Sequence, residues 1–296
     1  MFKRKREDTR KLEQELQQRE EASKLKQENK QREEFENILS LAREILNTPT
    51  DYKYGDTHPI YILIKGLVNQ EFYKNVYRSV STHDDAKVFT VGINKILPNP
   101  GSRSKRTHYI SVDEGEKYLY KTSLSHSVSF HTMLERSRVS GQRISEIIQT
   151  SGKEVLINLG EDPVLTRPWH IDRLLRAFLC IGENKEYGDW TQDDNHRLEL
   201  WLPFGVTFVN SGNHSITTGI LNNEGQIKLD LDEIYRMENE VFHNISCDGV
   251  NYTRVVDNSH LAPVTNLALA AVFEIGKLIN KNEYQRKIRF KGIDVN

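Results

Sequence analysis

The sequence predicts an α/β fold of the α+β type, in which a mixed sheet is surrounded by helices and preceded by a long charged helix. Residues 1–47 contain neither glycine nor proline and are rich in Glu, Lys, Gln and Arg, which all favour helix. Between residues 154 and 231, strand-like apolar runs alternate with a helical segment. Residues 264–279 are apolar on most faces, which is typical of a helix packed centrally in a core.

The long N-terminal helix is expected to dock on the core only through its C-terminal part. Thr48 and Pro49 follow it and are expected to end it. Apolar residues are sparse in the first part of this helix, where the leucines are Leu12, Leu16 and Leu25. They are dense in the later part, namely Phe35, Ile38, Leu39, Leu41, Ala42, Ile45 and Leu46. We therefore divide the chain into a charged helical extension, residues 1–48, and an α/β domain, residues 49–296.

Composition and charge argue against several classes of protein. The formal net charge of −1 removes the chain-wide basic field of a non-specific nucleic-acid binder, although a local basic patch remains open. The two cysteines, Cys180 and Cys247, lie outside any CxxC pair, so we expect structural thiols and no thiolate metal site. No apolar run approaches the roughly 20 residues that span a bilayer. Since the N-terminus leads into charge instead of an apolar signal core, we expect a cytoplasmic protein with no membrane contact.

Three segments before residue 150 are assigned from local pattern. Residues 60–64 are apolar, and their length leaves both helix and strand open. Residues 98–106 combine two prolines and a glycine with basic residues, which predicts an exposed loop. Residues 140–148 show helical spacing and predict a short amphipathic helix.

A helix is predicted from about residue 170 to residue 181, with Gly182 at its end. Arg173 and Arg176 lie three positions apart and so share one face of this helix. We expect its buried side to consist of the apolar residues between them and after them, namely Leu174, Leu175, Phe178 and Leu179.

Strands are predicted on both sides of this helix. Residues 154–159 form the first of them. Residues 197–210 alternate partly and contain a Pro-Phe-Gly interruption, so they form either two strands or one bent strand. A turn at residues 222–225 then precedes a further strand at residues 226–231.

A polar turn at residues 211–215 is the candidate functional site. It connects a predicted strand to what looks like a short helix, and such a turn directs successive backbone N–H groups at one point. Gly212 permits close approach of a phosphate, while Asn213 and Ser215 supply hydrogen-bonding side chains. His214 is a candidate acid, base or ligand near neutral pH. The alternative is that Ser215 caps the helix and His214 is a structural histidine.

A second polar cluster, residues 193–197, precedes the strand region and would meet the turn if the two strands pair. His196, beside Asp194 in this cluster, suits proton transfer, whereas Arg197 and Arg173 suit phosphate binding. The alternative is an exposed loop, because Asp and Asn are common in turns. A metal held by His196, His214 and a carboxylate lacks ligands at fixed spacing, so no metal site is assigned. The sequence contains no HxxxH helix, Walker A loop, GxSxG elbow or two-glycine dinucleotide fingerprint.

The run of residues 209–220, with a helix ending at Gly182 upstream, resembles the ParB/sulfiredoxin superfamily over about residues 155–225. In that superfamily a strand leads to a phosphate-binding turn and a helix, so the resemblance implies that Gly212, Asn213, His214 and Ser215 face phosphate. Ser215 stands where an arginine is usual. The segment from residue 190 to residue 215 also resembles an uncharacterised group of bacterial proteins found on mobile elements, which implies a bacterial or phage setting and genome defence.

The leading hypothesis is a protein that binds a nucleotide or nucleic-acid phosphate, with nuclease or NTPase hydrolysis as its stronger form. The backbone of residues 212–215 and Arg173 would hold the phosphate, and His214 or His196 would move the proton. No cofactor is defined beyond a nucleotide with Mg²⁺. The alternative is a non-catalytic interaction protein that recruits a protein partner through residues 1–47.

Overall fold

The computed structural model describes residues 2–49, 56–81, 96, 145–147, 154–237, 239–281 and 287–295. The loop predicted at residues 98–106 lies outside these residues. In chain order the elements are α1 (Phe2–Asn47), α2 (Ile60–Ser81), β1 (Ser145–Ile147), β2 (Val155–Asn158), β3 (Val164–Leu165), α3 (Ile171–Cys180), β4 (Arg197–Leu202), β5 (Val206–Ser211), α4 (Asn213–Asn222), β6 (Gln226–Leu229), β7 (Ile234–Met237), α5 (Asn239–Asn244), β8 (Ile245–Cys247), β9 (Asn251–Arg254), β10 (His260–Pro263), α6 (Leu267–Lys281), β11 (Arg289–Phe290) and β12 (Ile293–Asp294). The fold is of the predicted α+β class.

Helix α1 docks on the core through its C-terminal part, as the apolar pattern predicts. Its buried side chains are spaced three or four residues apart, namely Phe35, Leu39, Ala42 and Leu46. The three leucines of its first half are exposed by 51–58%, namely Leu12, Leu16 and Leu25. The C-terminal part of α1 therefore belongs to the same hydrophobic core as the α/β domain.

Helices α1, α2 and α6 all contribute to this core. Residues 60–64, for which the sequence left helix and strand open, begin α2, which is helical to Ser81. Helices α1 and α2 both contact α6. Six successive residues of α6, from Ala268 to Phe273, are buried. The central packing expected of the apolar C-terminal segment is therefore confirmed.

Gly276 on α6 is expected to resist substitution. A Cβ atom there would lie 2.4 Å from Cε1 of Phe204, a ring that is fully buried. We expect Gly276→Ala to lower the free energy of unfolding by about 2 kcal/mol, because overpacking outweighs the better helix propensity of alanine. Urea denaturation measures this, with Gly66→Ala on α2 as the control. No atom lies within 4 Å of a Cβ at Gly66, so an equal loss there would contradict the packing argument.

The central sheet is mixed, in the order β1-β7-β4-β5-β3. Strands β4 and β5 form an antiparallel hairpin, so the segment 197–210 contains two strands and not one bent strand. Strand β3 is parallel to β5, and β7 is parallel to β4. Smaller antiparallel sheets are formed by β2 with β6, by β8, β9 and β10, and by β11 with β12. The hairpin places residues 193–197 beside the turn at residues 211–215.

The prediction of a helix at residues 140–148 is wrong. Ser145–Ile147 form strand β1, which pairs antiparallel with β7 at the edge of the central sheet. The helical spacing of the isoleucines is only a weak signal in so short a segment. Backbone pairing with the edge of the sheet has overridden it.

The predicted buried side of α3 is also partly wrong. Leu174 is fully buried and Ala177 is nearly so, whereas Leu175 and Leu179 are 52% and 66% exposed. Phe178 is half-buried. The reason is that α3 packs against α4, while the arginine side of the helix lines a cavity. Leu175 and Leu179 therefore face solvent. In the part of the chain that the structure describes, no helix is long and apolar enough to cross a membrane.

Candidate functional site

Gly212 makes the strand-to-helix turn that the sequence predicts. Strand β5 ends at Ser211, and α4 begins at Asn213. The φ angle of Gly212 is 79°, in the left-handed region that glycine adopts without steric penalty. A Cβ atom at this position would lie 2.3 Å from Cδ2 of His196. Position 212 is therefore restricted to glycine both by its backbone and by the imidazole packed against it.

The amino end of α4 carries three backbone N–H groups that have no acceptor in the described part of the chain. The first hydrogen bond of the helix runs from the N–H of Ile216 to the carbonyl oxygen of Gly212, at 3.0 Å. Within the described ranges, no acceptor pairs with the N–H groups of Asn213, His214 or Ser215. Together with the aligned peptide dipoles, these groups give the start of α4 a partial positive charge. The backbone here has the arrangement that binds anions.

An open cavity of about 480 Å³ lies at the start of α4, between this turn and α3. Its volume is within the usual range of small-ligand sites. Residues 211–215 form one wall. The other polar and aromatic side chains that line it are Trp169, Arg173, Arg176, Tyr187, Asn195 and Asn210. Two of the described lining residues are cationic and none is acidic, so the cavity favours an anionic ligand.

Each arginine of the cavity is paired with an aromatic ring. The guanidinium carbon of Arg173 lies 5.1 Å from the centre of the Trp169 ring. Arg176 donates a hydrogen bond of 2.6 Å to the hydroxyl oxygen of Tyr187, and its guanidinium carbon lies 5.9 Å from the centre of that ring. These contacts hold both guanidinium groups at the cavity wall while leaving further N–H donors on each.

His214 is a neutral hydrogen-bond donor in this geometry. Its Nε2 accepts a hydrogen bond of 3.2 Å from the backbone N–H of His170, so the proton of the neutral ring lies on Nδ1. Burial, followed by the charges of Arg173 and His170, lowers the pKa of His214 to about 4. The imidazole is therefore uncharged at neutral pH, and its only lone pair is already used.

His196 packs against the turn at Gly212 and hydrogen-bonds to it. Its Nδ1 accepts a hydrogen bond of 2.8 Å from the N–H of Asp193, so its Nε2–H donates to Oγ of Ser215 at 2.7 Å. The hydroxyl of Ser215 in turn donates to the carbonyl oxygen of Gly212 at 3.0 Å. The imidazole also packs on Trp190, with 4.8 Å between ring centres, and burial lowers its pKa. Both nitrogen atoms of His196 are thus committed to positioning the turn.

Asn213 fixes the turn to the end of β3. Its Oδ1 accepts a hydrogen bond of 2.7 Å from the N–H of Arg167. Its carbonyl oxygen accepts one of 2.6 Å from Oγ1 of Thr217, which also contacts Oγ1 of Thr166 at 2.8 Å. The segment that follows β3 therefore holds the amino end of α4 in place, which preorganises its N–H groups.

The structure brings together most, but not all, of the residues predicted for the site. Gly212, Asn213, His214, Ser215 and Arg173 line the cavity, and His196 lies directly beneath it. Two of the predicted residues lie outside the lining and are exposed, namely Asp194 and Arg197. The carboxylate next to His196 is that of Asp193, at 3.2 Å, and not that of Asp194.

Sequence reasoning missed the aromatic walls of the cavity. Trp169 lies only four positions before Arg173 in the sequence, but Tyr187 lies in a loop whose path only the fold defines. Among the described residues, no group of three His, Cys, Asp or Glu side chains is arranged to hold a metal ion. His196, one of the ligands considered for a metal, has both ring nitrogens hydrogen-bonded within the protein.

A family model matches the chain over residues 20–286; it is described as DUF6710, a family of unknown function. The chain belongs to DUF6710. The matched region of DUF6710 includes the cavity, the turn at Gly212 and the docked part of α1. No curated protein and no solved structure matches the chain.

The depressed pKa of His214 predicts a pH-dependent loss of stability. The folded pKa of about 4 lies below the ordinary value of 6.5, so between these values the unfolded chain binds more protons. The contribution of neutral His214 to the free energy of unfolding is therefore complete above about pH 6.5. This contribution is lost as the pH falls towards 4. A shift of this size has a ceiling of about 3 kcal/mol, which solvent screening reduces to about 2 kcal/mol.

Urea denaturation of wild type and His214→Gln measures this effect, because the glutamine amide oxygen can still accept the hydrogen bond from His170. The difference in the free energy of unfolding between them should shrink by about 2 kcal/mol between about pH 7 and pH 4. Glu233 and Glu274, whose pKa values burial raises, do not contact His214 and are present in both proteins, so their titration cancels in this difference. A difference that stays constant with pH would show that His214 has an ordinary pKa.

Proposed function

We infer that this protein binds the phosphate of a nucleotide or nucleic acid at the amino end of α4. The observation that carries this proposal is a set of three N–H groups, those of Asn213, His214 and Ser215, that have no acceptor among the described residues. They lie at the wall of a cavity whose described lining includes no acidic residue. Arg173 adds a positive charge from the α3 side of the cavity. The neutral His214 adds an N–H donor, since its Nδ1 carries the proton.

The two histidines support binding more strongly than hydrolysis. A general base needs a free lone pair within reach of the attacking water. The lone pair of His214 accepts from His170, and that of His196 accepts from Asp193. Neither ring can take up a proton without breaking a hydrogen bond to the backbone. We therefore propose a phosphate-binding protein, and the nuclease or NTPase activity and the role in genome defence stay predictions.

Isothermal titration of ATP, CTP and short single-stranded DNA tests the proposal, with Arg173→Gln compared against Arg197→Gln. Both variants remove one arginine charge, but only Arg173 lines the cavity. We expect Arg173→Gln to weaken binding roughly tenfold or more, because a charge-assisted hydrogen bond contributes about 1.5–3 kcal/mol. Arg197→Gln should change affinity less than about twofold, apart from the general effect of net charge. Absence of binding to every ligand, or equal losses in both variants, would contradict the proposal.

A second candidate function is recruitment of a protein partner by the first part of α1. Between Leu12 and Leu25, the side chains of this helix are exposed, including three leucines. An apolar residue on an otherwise charged, projecting helix is a common feature of partner-binding helices. Replacing Leu12, Leu16 and Leu25 together by Gln tests this, because none of them belongs to the core. Loss of a co-purifying partner with unchanged melting temperature is expected; an unchanged set of partners would rule this candidate out.

A further inference from the structure

Two aromatic–arginine pairs line the cavity at the start of α4, and both arginines lie on α3. Trp169 precedes α3 and pairs with Arg173, and Tyr187 packs near its carboxyl end and pairs with Arg176. We propose that the ligand is a single-stranded nucleic acid, with two of its bases stacked on Trp169 and Tyr187 and its phosphates held by the arginines and by α4. This inference rests on the proposed phosphate binding and names the class of ligand.

Both rings are available for stacking. Trp169 is 43% exposed and Tyr187 is 52% exposed, although aromatic rings of this size usually contribute to the core. The Trp169 ring is held in position by contacts with the rings of His170 and His214, at 5.6 and 5.5 Å between ring centres. Exposed but positioned aromatic rings beside cationic groups are the recognition elements of single-strand binding surfaces.

The two pairs are arranged along one helix. Arg173 and Arg176 are separated by three residues of α3, which corresponds to about 4.5 Å of helix rise. The rings lie towards opposite ends of the same helix, and both line one cavity. A mononucleotide has one base and would leave one ring exposed, whereas a strand can place a base on each ring.

A single strand fits better than a duplex. Stacking on a side chain requires an unpaired base, since paired bases present only their edges in the grooves. Duplex binding also depends on a long basic surface, and the formal net charge of this chain is −1. Contact with about two phosphates, reinforced by stacking, predicts a shallow dependence of affinity on salt.

Tryptophan fluorescence reports directly on the proposed contact. The chain has three tryptophans, and the other two, Trp190 and Trp201, are each only 5% exposed. Quenching by a stacked base should therefore arise from Trp169. The ligands are inorganic phosphate, thymidine monophosphate, an oligothymidylate of about eight nucleotides and a duplex of similar length, each titrated into the full-length protein.

We expect the oligothymidylate to quench the fluorescence and to bind at least tenfold more tightly than the monophosphate or the duplex. Trp169→Leu and Tyr187→Leu should each weaken its binding roughly five- to hundredfold, which is the range for loss of one stacked base. Binding of Trp169→Leu is measured by calorimetry. Both variants keep the two arginines and the N–H groups of α4, so their affinity for inorganic phosphate should fall by less than their affinity for the oligothymidylate. Tyr77→Leu is the matched control, because Tyr77 is 71% exposed on α2 and does not line the cavity.

Two results would overturn the inference while leaving phosphate binding intact. One is an oligothymidylate affinity no greater than that of the monophosphate or the duplex. The other is an affinity that neither aromatic substitution changes more than Tyr77→Leu does. If no phosphate-bearing ligand binds at all, the proposed function fails together with this inference.

Discussion

Removing residues 1–47 is expected to unfold the protein, whereas removing residues 1–28 should leave its melting temperature within a few degrees of wild type. The longer deletion takes away four buried side chains of the core, Phe35, Leu39, Ala42 and Leu46. Truncating a buried leucine or phenylalanine costs about 2–5 kcal/mol, and a domain is stabilised by only about 5–15 kcal/mol in total. Losing all four side chains exceeds what the remaining core can offset.

The shorter deletion keeps the described hydrogen bonds and ion pair between α1 and the remainder of the protein. Gln31 donates a hydrogen bond of 2.8 Å to the carbonyl oxygen of Gly249, and Arg32 contacts Asp248 at 3.0 Å. Circular dichroism and thermal melting of both truncated proteins measure the contrast. A folded protein lacking residues 1–47 would show that the helical extension is independent of the α/β domain. An unfolded protein lacking residues 1–28 would show that the exposed half of α1 carries stability.

Gly212→Ala is expected to abolish phosphate binding and to lower the free energy of unfolding by about 3 kcal/mol or more. Two separate effects add at this position. The φ angle of 79° costs a residue with a side chain about 1–2 kcal/mol. The new Cβ would also lie 2.3 Å from Cδ2 of the buried His196, which forces the imidazole or the turn to move. Either movement displaces the N–H groups of α4.

Gly188→Ala is the matched control for this substitution. Its φ angle is 70°, so it has nearly the same backbone penalty, but no atom lies within 4 Å of the added Cβ. We expect a loss of about 1 kcal/mol and unchanged ligand affinity. Chemical denaturation and calorimetric titration separate the two variants. Equal losses of stability, or a Gly212→Ala protein that binds phosphate normally, would contradict the role assigned to the turn.

Local pattern predicted most of the fold correctly where one residue type or one period dominates. The docked face of α1 follows from apolar residues three and four apart, and the burial of α6 follows from a helix that is apolar on most faces. The turn at residues 211–215 follows from Gly212, because a glycine between a strand and a helix suits a left-handed backbone. These properties depend on a few neighbouring residues, so the sequence contains them directly.

Predictions from local sequence pattern were wrong where the structure of a segment depends on the element that it packs against or pairs with. Residues 145–147 pair with β7 at a sheet edge, and no property of that short segment specifies the pairing. On α3 the leucines are distributed around the helix, so the direction of its buried side depends on where α4 lies. Leu175 and Leu179 were therefore predicted to be buried although they are exposed.

The candidate site shows the same division. The amino-acid sequence by itself determined that a glycine turn ends β5, that polar residues follow it, and that two arginines share a face of α3. Only the tertiary structure decided that Trp169 and Tyr187 form the cavity walls with those arginines, and that Asp194 and Arg197 lie outside. It also decided that the histidine lone pairs accept from the backbone of His170 and Asp193. The physical reason is that a turn is a local backbone property, whereas hydrogen-bond partners and cavity walls come from segments far apart in the chain.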